Sequence, residues 1–204
     1  MNITSWRERI TERHDMAARI THLTRGDDSN KAFDNLWKIL IEKKIQGSTT
    51  SSGFVVGNKR AVCFQELPLT AISENLLYED FLRKEGGRVR YSPFGLRFNK
   101  RDVFCKGGRP VIYGDTGLLK NQLPSDEHWR IVKLDLDDLN NVVDWSHERE
   151  WRIPDDYVFT YNRTEVLVES DEYYKKFVNR CLSEKRSDIL QNINGIITLN
   201  SVYS

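Results

Sequence analysis

The sequence predicts an α+β fold: a single domain over residues 1–204, with mixed or antiparallel sheets and flanking helices. Three observations predict it. Helical patterns come mainly early and short strand patterns mainly late, with no regular βαβ alternation. No internal repeat or low-complexity linker divides the chain. Its 204 residues are 39% hydrophobic and 30% charged, a globular composition whose length lets one core bury about 70% of the extended-chain surface.

The first 18 residues read as a leading helix, since the stretch from Trp6 is polar with weak helical spacing. Arg19-Ile20-Thr21-His22-Leu23-Thr24 is rich in β-branched residues and reads as a strand, and Arg25 to Asn30 as a loop. From Lys31 to Ile45, the residues Phe33, Leu36, Trp37, Leu40 and Ile41 follow the i, i+3, i+4 rhythm of an amphipathic helix. Gly47-Ser48 is expected to end it, and Ser48 to Gly53 to form a flexible loop. Arg60 to Gln65 is a compact buried strand, and Leu69 to Lys84 a helix with Pro68 at its start. Arg88 to Phe98 reads as extended, interrupted at Pro93 and Gly95. Arg101 to Lys106 is a short helix closed by Gly107-Gly108, and Pro110 to Tyr113 a strand. Arg130 to Leu136 alternates as a half-buried strand does, and Glu150 to Ile153 and Glu165 to Val168 are two more. Residues 170–204 supply a C-terminal helix and strand. The helix runs from Ser170 to Lys185 with Tyr173, Tyr174, Phe177, Val178, Cys181 and Leu182 on its apolar face, and the strand from Ile193 to Leu199.

Charge is spread unevenly. Arg83 to Arg109 holds nine Lys/Arg against Glu85 and Asp102, a balance of +7. Asp115 to Glu172 holds six basic and fifteen acidic residues, a balance of −9. Such asymmetry marks either an anionic or nucleic-acid ligand on one face, or two segments that pair with each other in the fold. Three widely spaced cysteines, Cys63, Cys105 and Cys181, form no zinc pattern and fit a reduced, cytoplasmic setting. No apolar run suggests a signal peptide or a membrane span.

Several chemistries are excluded by wording. There is no GxxxxGK[ST], no GxGxxG after a strand and no GxSxG. His147-Glu148-Arg149-Glu150 is not a metalloprotease HExxH, because Trp151 stands where the second histidine belongs. The histidines show no metal spacing, so no metal is expected. What remains is His22 at the end of the first strand, the pair Tyr91-Ser92 starting the basic middle strand, and Glu148-x-Glu150 opening a late strand. Singly, each has a plain structural reading. Glu150 and Arg152 share a strand face, so they can form an ion pair with Trp151 as a core anchor.

The order of these pieces is similar to that of ADP-ribosyltransferases: a His-x-Thr strand, an amphipathic helix, a Cys-Phe strand, a Tyr-Ser segment and a strand opened by Glu. Three segments also resemble the AbiGi-type abortive phage-infection family and its bacterial relatives. They are AVCFQELPL (Ala61–Leu69), YSPFGLRFNKRDVFCKGGRPVIYGD (Tyr91–Asp115) and EREWRI (Glu148–Ile153). Here Ser92-Pro93-Phe94 intrudes between the tyrosine and Gly95, a departure from that family's pattern.

The resemblance implies an ADP-ribosyltransferase-like fold and NAD as substrate. It assigns Glu150 to stabilising the oxocarbenium-like centre formed when the nicotinamide–ribose bond breaks, and Glu148 to activating the incoming nucleophile. It assigns His22, Thr24, Arg25, Tyr91 and Ser92 to NAD, with His22 on the adenosine ribose, Arg25 on the pyrophosphate and Tyr91 stacked on nicotinamide. The acceptor would be a protein or a nucleic acid, with Tyr91, Phe94 and Phe98 available to stack on bases. The setting would be phage defence or toxicity, with a cognate toxin or antitoxin as partner. Two other readings stay open: a non-catalytic antitoxin or interaction protein, and a nucleic-acid-binding module.

Overall fold

The computed structural model describes residues 3–53, 55–87 and 89–202. In chain order the elements are α1 (Ile3–Thr11), β1 (Arg19–Leu23), α2 (Ser29–Glu42), β2 (Lys44–Ile45), β3 (Ala61–Gln65), α3 (Leu69–Lys84), β4 (Gly95–Asn99), α4 (Lys100–Cys105), β5 (Arg109–Pro110), β6 (Ile112–Gly114), α5 (Thr116–Gln122), β7 (Ile131–Lys133), β8 (Glu150–Pro154), β9 (Tyr157–Val158), β10 (Thr164–Val168), α6 (Asp171–Ser183), α7 (Ser187–Asn192) and β11 (Gly195–Thr198). The protein is therefore α+β with mixed strand pairing. Its contacts group into two compact units, one of Met1–Lys44, Leu67–Asn99 and Phe159–Ser204, the other of Ile45–Glu66 and Lys100–Val158. No helix among the described residues is long and apolar enough to cross a membrane.

The first unit is built on the ladder β11-β10-β4-β1. β4 runs antiparallel to β1, from Arg19↔Asn99 to Leu23↔Gly95, and antiparallel to β10. β10 and β11 are parallel, a pairing that needs a long crossover, here supplied by α6 and α7. Gly95 is required where β4 starts, because a Cβ there would lie 2.3 Å from the His22 carbonyl oxygen. Helix α2 buries Ala32, Phe33, Leu36, Trp37 and Leu40, the stripe expected from spacing. Asp28 caps it by accepting from the Lys31 N–H at 2.8 Å. The helix stops earlier than Gly47: Lys43 takes the left-handed conformation, φ 51°. Two partners make that early stop possible, since Phe159 N–H donates to the Lys43 carbonyl and Tyr161 Oη donates to the Leu40 carbonyl at 2.8 Å. A second part of the core joins Leu23, Leu67, Ile72, Leu76, Leu167 and Leu199.

The second unit is built on β3-β8-β5, with β3 and β8 antiparallel from Ala61↔Pro154 to Gln65↔Glu150. β6 and β7 form a separate parallel pair, joined through α5, which Asp115 caps by accepting from the Leu118 N–H at 2.7 Å. The sequence reading did not find α5. The helix buries no residue, so it has no apolar stripe to reveal it. Phe64 packs edge-on against Tyr157 at 5.5 Å, and Val55, Ala61 and Trp129 make a small apolar cluster.

Several expectations shift. The leading helix ends at Thr11 rather than near residue 18. β7 covers three residues, not the seven that alternate, and the chain from Asp135 turns back through a bridge to Val143. Of the predicted apolar face of α6, only Phe177 and Cys181 are buried.

Candidate functional site

Each unit gathers some of the predicted residues. In the first, His22 lies on β1 opposite Leu96, and Tyr91-Ser92 do not start a strand as expected. They lie before β4, in a segment that crosses the end of β1. The Ser92 N–H donates to the Thr24 carbonyl at 2.9 Å, and the Thr24 N–H to the Phe94 carbonyl at 2.8 Å. The Thr24 hydroxyl lies 3.1 Å from the Phe94 carbonyl and 3.3 Å from that of Ala32. The Arg25 Nε donates to the Arg90 carbonyl at 3.2 Å. So β1's exit and the Tyr91-Ser92 segment bring His22, Thr24, Arg25, Tyr91 and Ser92 into one neighbourhood. Within it, Thr24 and Ser92 are buried and spend their polar groups on backbone, while Arg25 is exposed. Tyr91 packs half-buried against the Leu23–Leu76 core.

In the second unit, Glu150 opens β8 and is 8% exposed, with Glu148 6% exposed. Glu148 does not lie on the strand as expected. It ends a 3-10 turn, Ser146–Glu148, and Arg149 follows in the left-handed conformation, φ 45°. Strand alternation therefore does not set the relation of the two carboxylates. Both nonetheless act on the same neighbours. The Cys63 thiol is pushed well up, first by loss of water and then by the charge of Glu150, with Glu148 adding to it. The Tyr113 hydroxyl is pushed up to about 12, chiefly by burial, with both carboxylates contributing.

Glu150 is held on every side. Its N–H donates to the Tyr113 hydroxyl at 2.9 Å, and its carbonyl accepts from the Val111 N–H at 3.0 Å. Arg152 Nε donates to Glu150 Oε1 at 2.7 Å and Nη2 to Oε2 at 3.2 Å, the two-pronged geometry that orients a carboxylate most firmly. Arg152 Nη1 in turn donates to the Trp129 and Ile131 carbonyls, at 2.8 and 3.2 Å. The same-face Glu150–Arg152 pair expected from alternation is thus present. Trp151 is a half-buried anchor whose Nε1 donates to Glu66 at 2.6 Å.

One residue here escaped the sequence reading. Gln65, opposite Glu150 in register, is 4% exposed, and neither its Oε1 nor its Nε2 has a partner. Leaving a buried amide so costs about 1–3 kcal/mol. The signal was there: a lone amide on an otherwise apolar strand, on the face of Ala61 and Cys63.

The basic segment is largely committed. Arg97 pairs with Glu165 at 3.1 Å, so part of the positive segment does meet the negative one. Lys100 pairs with Glu66, and Lys84 with Asp80 at 2.8 Å. Arg109 donates to the Gly108 carbonyl at 2.7 Å and lies over the Phe104 ring. Arg88 lies outside the described residues. Phe94 and Phe98 are fully buried, which corrects the expectation that they can stack on bases. They fill the core instead, against Phe33 and Phe159. Among the described residues, no group of three His, Cys, Asp or Glu side chains is placed to hold a metal ion.

Compared with known proteins, the chain matches no family model, no curated sequence and no solved structure.

Proposed function

We propose that the chain is an NAD-dependent ADP-ribosyltransferase of bacterial phage defence or toxicity, with Glu150 as its catalytic carboxylate. The observation that supports this best is the buried Glu150, braced by Arg152 at the start of β8, with Glu148 buried beside it. When the nicotinamide–ribose bond breaks, its electron pair leaves with nicotinamide and the ribose carbon becomes electron-poor. A fixed carboxylate in a dry setting stabilises that carbon without reorganising. Arg152 uses one direction on each Glu150 oxygen and the Cys63 thiol hydrogen-bonds the same carboxylate, but a carboxylate has about four such directions, so room remains for a ligand hydroxyl. Glu148 would take the proton of the attacking nucleophile. The same reading assigns NAD contacts to His22, Thr24, Arg25, Tyr91 and Ser92, a protein or nucleic acid as acceptor, and a cognate toxin or antitoxin as partner. It rests on the order of motifs and on the AbiGi-type wording.

Titration with NAD tests it, read by thermal shift and by nicotinamide release. NAD at about 100 Kd should add about 2.7 kcal/mol of stability. Glu150→Gln should lower nicotinamide release about 100-fold or more while NAD still binds, and His22→Ala should weaken the shift. Unchanged turnover in both variants would sink the proposal.

The two-pronged Glu150–Arg152 bond also favours a second reading, a non-catalytic interaction protein in which the pair is structural. That reading expects no thermal shift at millimolar NAD and a stable complex with a protein encoded nearby.

A further inference from the structure

Gln65 ends β3 directly across from Glu150, so the two side chains share a sheet face. Its neighbours' polar groups are engaged elsewhere: Arg152 holds Glu150, Glu66 takes Lys100 and the Trp151 indole, and Tyr113 takes the Glu150 N–H. Beside these engaged groups, the Gln65 amide has both its donor and its acceptor ends open, although the residue is nine-tenths buried. Three side-chain torsions let it turn toward an entering ligand.

The chemistry of that ligand is constrained from both sides. Carboxylates only accept, so the ligand must donate to Glu150. An amide both donates and accepts, so the ligand must do both for Gln65. An anionic ligand group is repelled by Glu148 and Glu150. A cationic one meets Arg152 and cannot accept from the amide. Adjacent hydroxyls satisfy both partners.

We infer that Gln65 is a substrate-binding residue, taking the hydroxyls of the ribose that carries nicotinamide alongside Glu150. This rests on the transferase reading and adds a residue to it.

The test uses the full chain, wild type and Gln65→Met, which keeps the length of the side chain and removes its polar ends, with Gln65→Leu as a second variant. NAD and an NAD analogue lacking the 2′-hydroxyl of the nicotinamide ribose are the probes. Wild type should bind NAD about tenfold tighter than the analogue. Gln65→Met should bind NAD about tenfold more weakly and show a smaller preference, the part that Glu150 retains. Its melting temperature without ligand should be equal or higher, because no unpaired amide remains. If NAD binds both proteins equally, the role of Gln65 is overturned and the transferase reading survives. If wild type ignores NAD at millimolar concentration, both fall. If both variants melt well below wild type, the amide is a structural partner and the inference falls.

Discussion

In the first unit one carboxylate serves two guanidinium groups: Glu165 lies 3.1 Å from Arg19 and 3.1 Å from Arg97. In the second, one guanidinium serves Glu150, and a further buried carboxylate, Glu148, stands close enough to raise the same thiol and phenol. The first arrangement is partly wet, with Arg19 and Glu165 side chains 29% and 17% exposed. The second is dry, with Arg152 and Glu150 side chains at 3% and 10%. With two cations on one carboxylate, one of them part-exposed, Glu165 stays paired when either arginine is lost. The second holds negative charge where burial opposes it, which is a setting for chemistry or a source of strain.

The largest expected effect breaks the dry pair. Arg152→Ala should cost about 3–5 kcal/mol, because it leaves Glu150 buried without its cation. Arg97→Ala should cost less, since Glu165 keeps Arg19. The double variant Glu150→Met/Arg152→Met should recover most of the loss if the pair is only structural scaffolding. Chemical denaturation of the four proteins decides this, and equal losses for Arg152→Ala and Arg97→Ala would erase the contrast between the units.

A middle-sized effect concerns backbone closeness, which the two units share. Gly95→Ala pushes a Cβ to 2.3 Å from the His22 carbonyl, and Gly47→Ala pushes one to 2.2 Å from the Asp155 carbonyl. Each should cost about 1–3 kcal/mol. Gly95→Ala should also disturb NAD binding if His22 contacts it, whereas Gly47→Ala should not. Melting curves with and without NAD separate the two.

The smallest effect is absent at neutral pH and grows in alkali. Burial raises the Cys181 thiol from 9.0 to about 11 and raises Cys63 further, with Glu150 adding to it. Tyr113 rises from 10.0 to about 12. These acids keep their protons in the folded chain at a pH where the unfolded chain has lost them. Their contribution is therefore whole below pH 9 and is lost as pH climbs through the raised values. Melting temperature should fall from about pH 9 upward. Cys63→Ala should flatten that fall more than Cys181→Ala, because Cys63 is raised further and, of the two thiols, it is the one that Glu148 and Glu150 act on. Parallel slopes for the two variants would mean the second unit's carboxylates are not felt at Cys63.

By itself the sequence determined what short-range pattern can carry. The stripe Phe33-Leu36-Trp37-Leu40 makes α2, the buried runs make β3 and β10, and two-residue alternation puts Glu150 and Arg152 on one face, where they pair. Those depend on neighbours two to four positions apart. Tertiary structure decided the rest, because it depends on partners far along the chain. Helix α2 ends at Lys43 because Phe159 and Tyr161 reach it. Tyr91-Ser92 lie ahead of β4 because the Ser92 N–H goes to the Thr24 carbonyl. Glu148 leaves it because Arg149 turns left-handed. Phe94 and Phe98 are core because helix and strand close over them. Gln65 stands unpaired beside Glu150 only because β3 and β8 meet in one register, and a shift of one residue would have put it on the opposite face.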